Sequence, residues 1–363
     1  MAAVTAERMP WWAWTWPALG WILLVATSMT SLSGILAVAA GVAVFGTVFA
    51  AVYHAEVVAH RVGEPFGTLV LALAVTVIEV ALIVSIMLGG KDDTAGLARD
   101  TVFAAVMIVC NGIVGACLLA GGVRHHEQGF QVAGANAALA VLAALTTLTL
   151  VLPNFTTSAA GPMFSTSQLA FAGVVSLVLY GAFVFVQTIR HRDYFLPVEE
   201  FGNEEAHLPP PSRTAALASA GLLLAALVAV VGLAKVLTPT VEAGVAQVGA
   251  PKTVVGIIIA ALVLLPEGLA ALRAARLNRL QTSMNLALGS ALASIGLTIP
   301  AVAVVSIVLG QPLALGLGAK EQILLVLTLL VGVITVGTGR TTVLQGIVHL
   351  VIFAAFLFLA VVP

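Results

Sequence analysis

Charge is scarce in this sequence: only 9% of its 363 residues are Asp, Glu, Lys or Arg, against roughly 25% in soluble domains. With 61% hydrophobic residues and a mean hydropathy of +1.13, such a chain does not cover a water-soluble surface. Fifteen Lys and Arg are balanced by sixteen Asp and Glu, so there is no basic excess for phosphates, and nucleic acid is excluded as a partner. Aromatics are few, at 6%, while Gly is plentiful at 34. That balance suits closely packed helices and not a transmembrane β-barrel, whose strands alternate and carry aromatic girdles. Cysteine occurs twice, as Cys110 and Cys117 in one apolar run; on a helix they stand about 10 Å apart, too far for a disulfide. HExxH, CxxC, GxSxG and GxxxxGK[ST] patterns are missing, so zinc chemistry, serine hydrolysis and ATP-driven work have no support, and neither an enzyme nor a cofactor is expected. No secretory signal is expected either, because the first apolar span lacks a cleavable small-residue site and is followed at once by others. What remains is an all-α polytopic membrane protein, with the lipid bilayer as its first partner.

Apolar windows of about 20 residues fall at 11–30, 34–60, 66–89, 100–122, 134–152, 167–189, 213–238, 252–272, 283–309, 320–338 and 342–362. Trp11, Trp12, Trp14 and Trp16 give the first of these eleven an interfacial character that would hold part of it at the membrane surface. If the spans alternate across the membrane, one side receives Arg8, Arg61, Arg124, Arg190, Arg192, Arg213, Arg273, Arg276, Arg279 and Arg340. The other receives Lys91, Arg99, Lys235, Lys252 and Lys320. This bias puts the N-terminus in the cytoplasm and the C-terminus outside. The polar stretch 190–212, with Asp193, Glu199, Glu200, Glu204 and Glu205, reads as a solvated cytoplasmic linker, a cation-sensing segment being the alternative. It divides an N-terminal segment and first helix (1–33) and a five-helix repeat (34–189) from a second five-helix repeat (213–363). An odd number of spans per repeat inverts the second against the first, the arrangement of many secondary transporters, whose sites lie at the midplane.

Each repeat buries one glutamate in its second helix, Glu79 in the first and Glu267 in the second. An acid there costs several kcal/mol unless protonated, paired or hydrated. No Lys or Arg lies within a helical span of Glu79, and Arg273 is about 9 Å along the axis from Glu267. Protonated glutamates hydrogen-bonded across a helix interface are the bland alternative. Oxygen-bearing residues stand near both acids. Thr76 shares the face of Glu79; Pro266 frees a carbonyl beside Glu267; Asn111, Asn285, Ser290, Ser294 and Thr298 lie in the following helices. Two carboxylates among neutral oxygens suit a hard cation, Ca²⁺ or Na⁺, with Glu79 and Glu267 as its metal ligands. His54, Glu56, His60 and Glu64 cluster near the cytoplasmic mouth; His54 and Glu56 read as a proton relay or as a wet rim.

The stretches GEPFGTLVLALAVTVIE (63–79) and LLPEGLAALRAARLNRLQTSMNLALGSALASIGLTIP (264–300) resemble the two α-repeats of the calcium:cation antiporter superfamily. The nearest resemblance is to the bacterial ChaA-type branch of cation/proton exchangers, and it covers nearly the whole chain. It implies that the family's essential acids fall on Glu79 and Glu267, its second-repeat Gly-Ser on Gly289-Ser290, and a further ligand on Ser294. In the first repeat the corresponding places read Val106-Met107 and Cys110-Asn111, so only Asn111 matches. The loss of oxygen ligands there leaves room for Na⁺ or K⁺ beside Ca²⁺. The resemblance implies an inner-membrane antiporter exchanging Ca²⁺, and also Na⁺ or K⁺, for H⁺. A Na⁺-driven Ca²⁺ exchanger of the same fold is the rival reading. A cation channel is disfavoured by the internal repeat.

Overall fold

The computed structural model describes residues 9–30, 32, 34–63, 66–87, 95–196, 210–251 and 253–362. Arg8, Glu64, Lys91, Lys252 and the linker residues Glu199, Glu200, Glu204 and Glu205 lie outside the described residues. Long apolar runs fold here as helices, which satisfy every backbone N–H and C=O without water. The helices are α1 (Trp11–Met29), α2 (Gly34–Val62) and α3 (Phe66–Met87), followed by α4 (Leu97–Met107) and α5 (Val114–His125), which a π-helical turn at Ile108–Ile113 joins. Then come α6 (Val132–Thr146), α7 (Thr166–Phe185), α8 (Arg213–Gln247), α9 (Thr253–Arg276), α10 (Leu280–Leu309), α11 (Ala319–Gly337) and α12 (Val343–Val361). Further π-helical turns extend α6 (Thr147–Val151) and α7 (Val186–Arg190). A capping box starts α7 at Ser165 with Gln168, and at the start of α12 Gln345 Oε1 accepts from both the backbone N–H and the hydroxyl of Thr342.

These elements fall where the eleven apolar windows place them. Nine helical stretches among the described residues are long and apolar enough to cross a membrane, with a shorter apolar stretch at Ala72–Ser85 in α3. The principal boundary difference is at α8, which was expected to end near 238 but runs through Pro239 to Gln247. Pro239 removes one amide donor, and the helix absorbs that loss. At 35 residues α8 is about 52 Å long, well beyond a 30 Å hydrocarbon core.

The chain forms two compact units. The first unit holds α1, α2, α3 and α8. Here α1 packs along α2 and α8: Trp16 lies over Gly46, Gly20 faces Thr47 and Ala229, and Trp21 Nε1 donates to the Ala225 carbonyl at 3.0 Å. Trp11 and Trp14 stay exposed while Trp12 stacks edge-on against Tyr53 at 5.1 Å. The tryptophans thus divide between an exposed side and a packed side, and α1 is a full member of its bundle.

The second unit holds α4 to α7 and α9 to α12, with α10 buried along most of its length. Two short pairings have the placement that an inverted repeat expects. Strand β1 (Gln128–Gly129), between the third and fourth helices of the first repeat, pairs antiparallel with β2 (Arg340–Thr341), between the fourth and fifth of the second. Met163 and Ala314 form a bridge in which the two loops exchange these roles. The β1–β2 end of this unit gathers Arg124, Arg190, Arg192, Arg273, Arg276, Arg279 and Arg340, tied by Gln128 to the Ala275 carbonyl at 2.8 Å and by His125 to that of Arg276 at 3.0 Å. The opposite end carries Arg99 and Lys320, Arg99 donating to the Gly316 carbonyl at 3.3 Å.

Candidate functional site

In the second unit, α9 presents Glu267 one residue after Pro266, and the residue is only 3% exposed. Two glycines let α9 lie close on the α4–α5 helix. A Cβ at Gly256 would meet Asp100 and Thr101, and one at Gly268 would sit 3.0 Å from Ile113 Cδ1. From α10, Ser290 donates its hydroxyl hydrogen to Glu267 Oε2. Ser294 and Thr298 follow at four-residue spacing, both buried, and Thr298 Oγ1 has no hydrogen-bond partner among the described residues. The result is a carboxylate with a hydroxyl stripe beside it, inside an apolar helix pair. Such a set of hard oxygens is chemically suited to a proton or a small hard cation.

In the first unit, Glu79 is 2% exposed on α3 and Thr76 is buried one turn before it. Thr76 Oγ1 donates back to the Ala72 carbonyl at 2.8 Å. Glu79 lies 13 residues after Phe66 and Glu267 lies 14 after Thr253, so the acids occupy matching turns of the second helix of each repeat.

The other expected site residues have different surroundings. Asn285 is half-buried, its Nδ2 donating to the Phe195 carbonyl at 2.6 Å and its Oδ1 accepting from Gln281 at 2.8 Å. Five residues before Ser290 on the same helix, it is rotated about 140° off the hydroxyl stripe. His54 is fully buried and its Nε2 donates to the Ala13 carbonyl of α1 at 2.9 Å. Glu56, two residues on, points about 200° away around α2, so these two do not share a face. Asn111 is fully buried in the π-helical turn. Its Nδ2 lies 2.9 Å from Thr328 Oγ1, and its Oδ1 lies 3.2 Å from His349 Nδ1. His349 Nε2 is 3.0 Å from Thr335 Oγ1.

Thr328, Thr335 and His349 were not expected from the sequence. One signal was available for His349, a lone titratable side chain inside an apolar twenty-residue run. The two threonines carry none, because a threonine that bonds its own preceding turn looks the same in sequence.

The sodium/calcium exchanger protein family matches residues 32–189 and 218–362 of the chain. The chain is 52% identical to y4hA of Sinorhizobium fredii, described as an ionic transporter, over 99% of this chain and 98% of that one. It is 37% identical to the sodium-potassium/proton antiporter ChaA of Escherichia coli, over 92% of this chain and 88% of that one. Its fold is similar to the crystal structure of the H⁺/Ca²⁺ exchanger CAX, with a TM-score of 0.72 at 14% identity, over 95% and 87% of the two chains.

Proposed function

The chain belongs to the sodium/calcium exchanger protein family, and from that premise we propose that it is a cation/proton antiporter whose protons and cations compete for Glu79 and Glu267. The family assignment makes it a multi-pass membrane transporter that works by antiport and not an enzyme. The substrate proposed is Ca²⁺, with Na⁺ or K⁺ also exchanged. The observation that carries the reading is a buried carboxyl in the matching turn of both repeats, one of them with a serine hydroxyl bonded to it. Ser290, Ser294 and Thr76 supply neutral oxygens near these acids. Met107 of the first repeat stands where the second repeat has Ser290, and a thioether is a poor ligand for a hard cation. That asymmetry favours admitting monovalent cations beside Ca²⁺. The chain's 37% identity to a sodium-potassium/proton antiporter supports the same substrate range.

Competition for shared oxygens has a sign. Protons leave the carboxyls as pH rises, so the cation meets less competition and its KM falls. Purified protein in proteoliposomes with an entrapped pH dye should show cation-dependent proton movement. The cation KM should fall steeply from about pH 6 to about pH 9. No exchange with Ca²⁺, Na⁺ or K⁺ would overturn the function, and a flat KM would overturn the competition.

Orientation is proposed on charge. The β1–β2 end of the second unit is rich in arginine and the opposite end is not, so the arginine-rich end faces the cytoplasm of the inner membrane, with the N-terminus inside and the C-terminus outside. A single cysteine at Glu127 should stay unlabelled by an impermeant maleimide in intact cells, and one at Gln311 should react. The reverse pattern would invert the topology.

A further inference from the structure

The orientation of the Asn111 amide follows from its neighbours. The single hydrogen of the Thr328 hydroxyl goes to the Leu324 carbonyl at 2.7 Å, so Thr328 Oγ1 accepts from the Asn111 NH₂. Asn111 Oδ1 then faces His349, and because an amide oxygen only accepts, His349 Nδ1 carries the hydrogen. His349 Nε2 in turn accepts from the Thr335 hydroxyl. His349 also hydrogen-bonds the backbone of Cys110 in the same π-helical turn, so the imidazole, neutral and in one tautomer, is tied to that turn at two points.

The ring is held on a rigid support. A Cβ at Gly112 would meet Phe353, one at Gly115 would meet His349 and Leu350, one at Gly122 would meet Val343, and one at Gly346 would meet Leu119. Each pair sums to nearly the same number, so α5 and α12 run antiparallel in one fixed register with their backbones in close approach. His349 also borders a cavity of about 20 Å³ with Cys110, Thr328 and Thr335. On the other side, the π-helical turn that carries Asn111 also carries Ile113, which seats against Gly268, the residue after Glu267.

We propose that His349 is a positioning residue for the Glu267 site. Its Nδ1–H anchors Asn111, Asn111 holds the π-helical turn, and Ile113 in that turn sets where α9 carries Glu267. π-helical turns are common at functional positions because the extra residue re-aims side chains; here one turn has a dedicated imidazole anchor. The inference rests on the exchange reading above and assigns His349 no contact with the transported ion.

The test compares the parent protein with His349→Leu, His349→Gln, Asn111→Ala and Asn111→Ala/His349→Leu in proteoliposomes, with Ca²⁺ and Na⁺ as probes. His349→Leu is expected to raise the cation KM roughly 10-fold, in the range of supporting residues behind a metal ligand. The maximal rate and melting temperature should stay near those of the parent. His349→Gln, whose amide can donate to Asn111 Oδ1, is expected to restore most of the affinity. In the Asn111→Ala background, His349→Leu should add much less than it does in the parent. An unchanged KM in His349→Leu, or a shift that adds in full to that of Asn111→Ala, would overturn the proposal. If His349→Leu does not fold, Thr335→Val replaces it, since losing that hydroxyl frees the imidazole to take its other tautomer; the same direction and non-additivity are expected. A parent that exchanges while the variants do not shift overturns this inference alone; a parent without exchange overturns the exchange reading as well.

Discussion

Glu267→Gln is expected to abolish cation/proton exchange while the protein still accumulates and folds. The amide has nearly the shape of the carboxyl and still accepts from Ser290, so packing in α9 and α10 is preserved. What is lost is the negative charge for the cation and the group that releases a proton. Partners that only support a metal ligand are worth 10–100-fold, so losing the proposed ligand itself should reduce exchange by more than about 100-fold. Glu79→Gln is expected to do the same from α3. Glu267→Asp should also fail, because withdrawing the oxygens by about one bond length breaks coordination at about 2.3–2.6 Å. Initial rates in proteoliposomes, with melting curves as the folding control, decide the matter. Exchange at parental rates in either glutamine variant would leave that acid a protonated packing group.

The second large effect concerns folding. Gly346→Val should destabilise the second unit severely, because a Cβ at this position would lie 2.9 Å from Leu119 Cα and 3.0 Å from the Gly115 carbonyl oxygen. Both are backbone atoms of α5, so neither a rotamer change nor a flexible side chain can relieve the clash. Overpacking a well-packed core costs about 1–3 kcal/mol, and separating two helices sits at or above the top of that range. At about 2–4 °C per kcal/mol for a domain of this size, the melting temperature in detergent should fall by about 6 °C or more. Gly181→Ala is the control: nothing lies within 4 Å of a Cβ there, and the helix should gain slightly. Equal melting of the two variants would show that α5 and α12 do not need their close approach.

Much of this architecture is legible in the sequence because lipid imposes a simple rule. A span needs about 20 apolar residues, and the windows around α2, α4–α5, α10 and α12 stand out on that count alone. Glu79 and Glu267 are equally legible, since an acid in an apolar run costs too much to be incidental. Three features are not. Pro239 looks like a stop signal, yet the helix continues beyond it, because one missing amide does not cost enough to end a helix whose neighbouring turns are intact. The π-helical turn at Ile108–Ile113 leaves no trace in a hydropathy profile, so the sequence names Asn111 as a candidate ligand without showing that its amide meets Thr328 and His349. Asn285 shows the same limit: one sequence span holds it and Ser290, and helix rotation separates them. Periodicity gives the face of a residue on its own helix, but not which neighbour that face meets.

The crossed loop pairings bear on when each unit can be completed as the chain is made. Each repeat extends one loop to the opposite repeat at both ends of the second unit. The first unit likewise takes α2 and α3 from one repeat and α8 from the other. The boundary between the repeats and the boundary between the units therefore do not coincide. Neither unit has all its helices until the second repeat is made: the first waits for α8 and the second for α9 to α12.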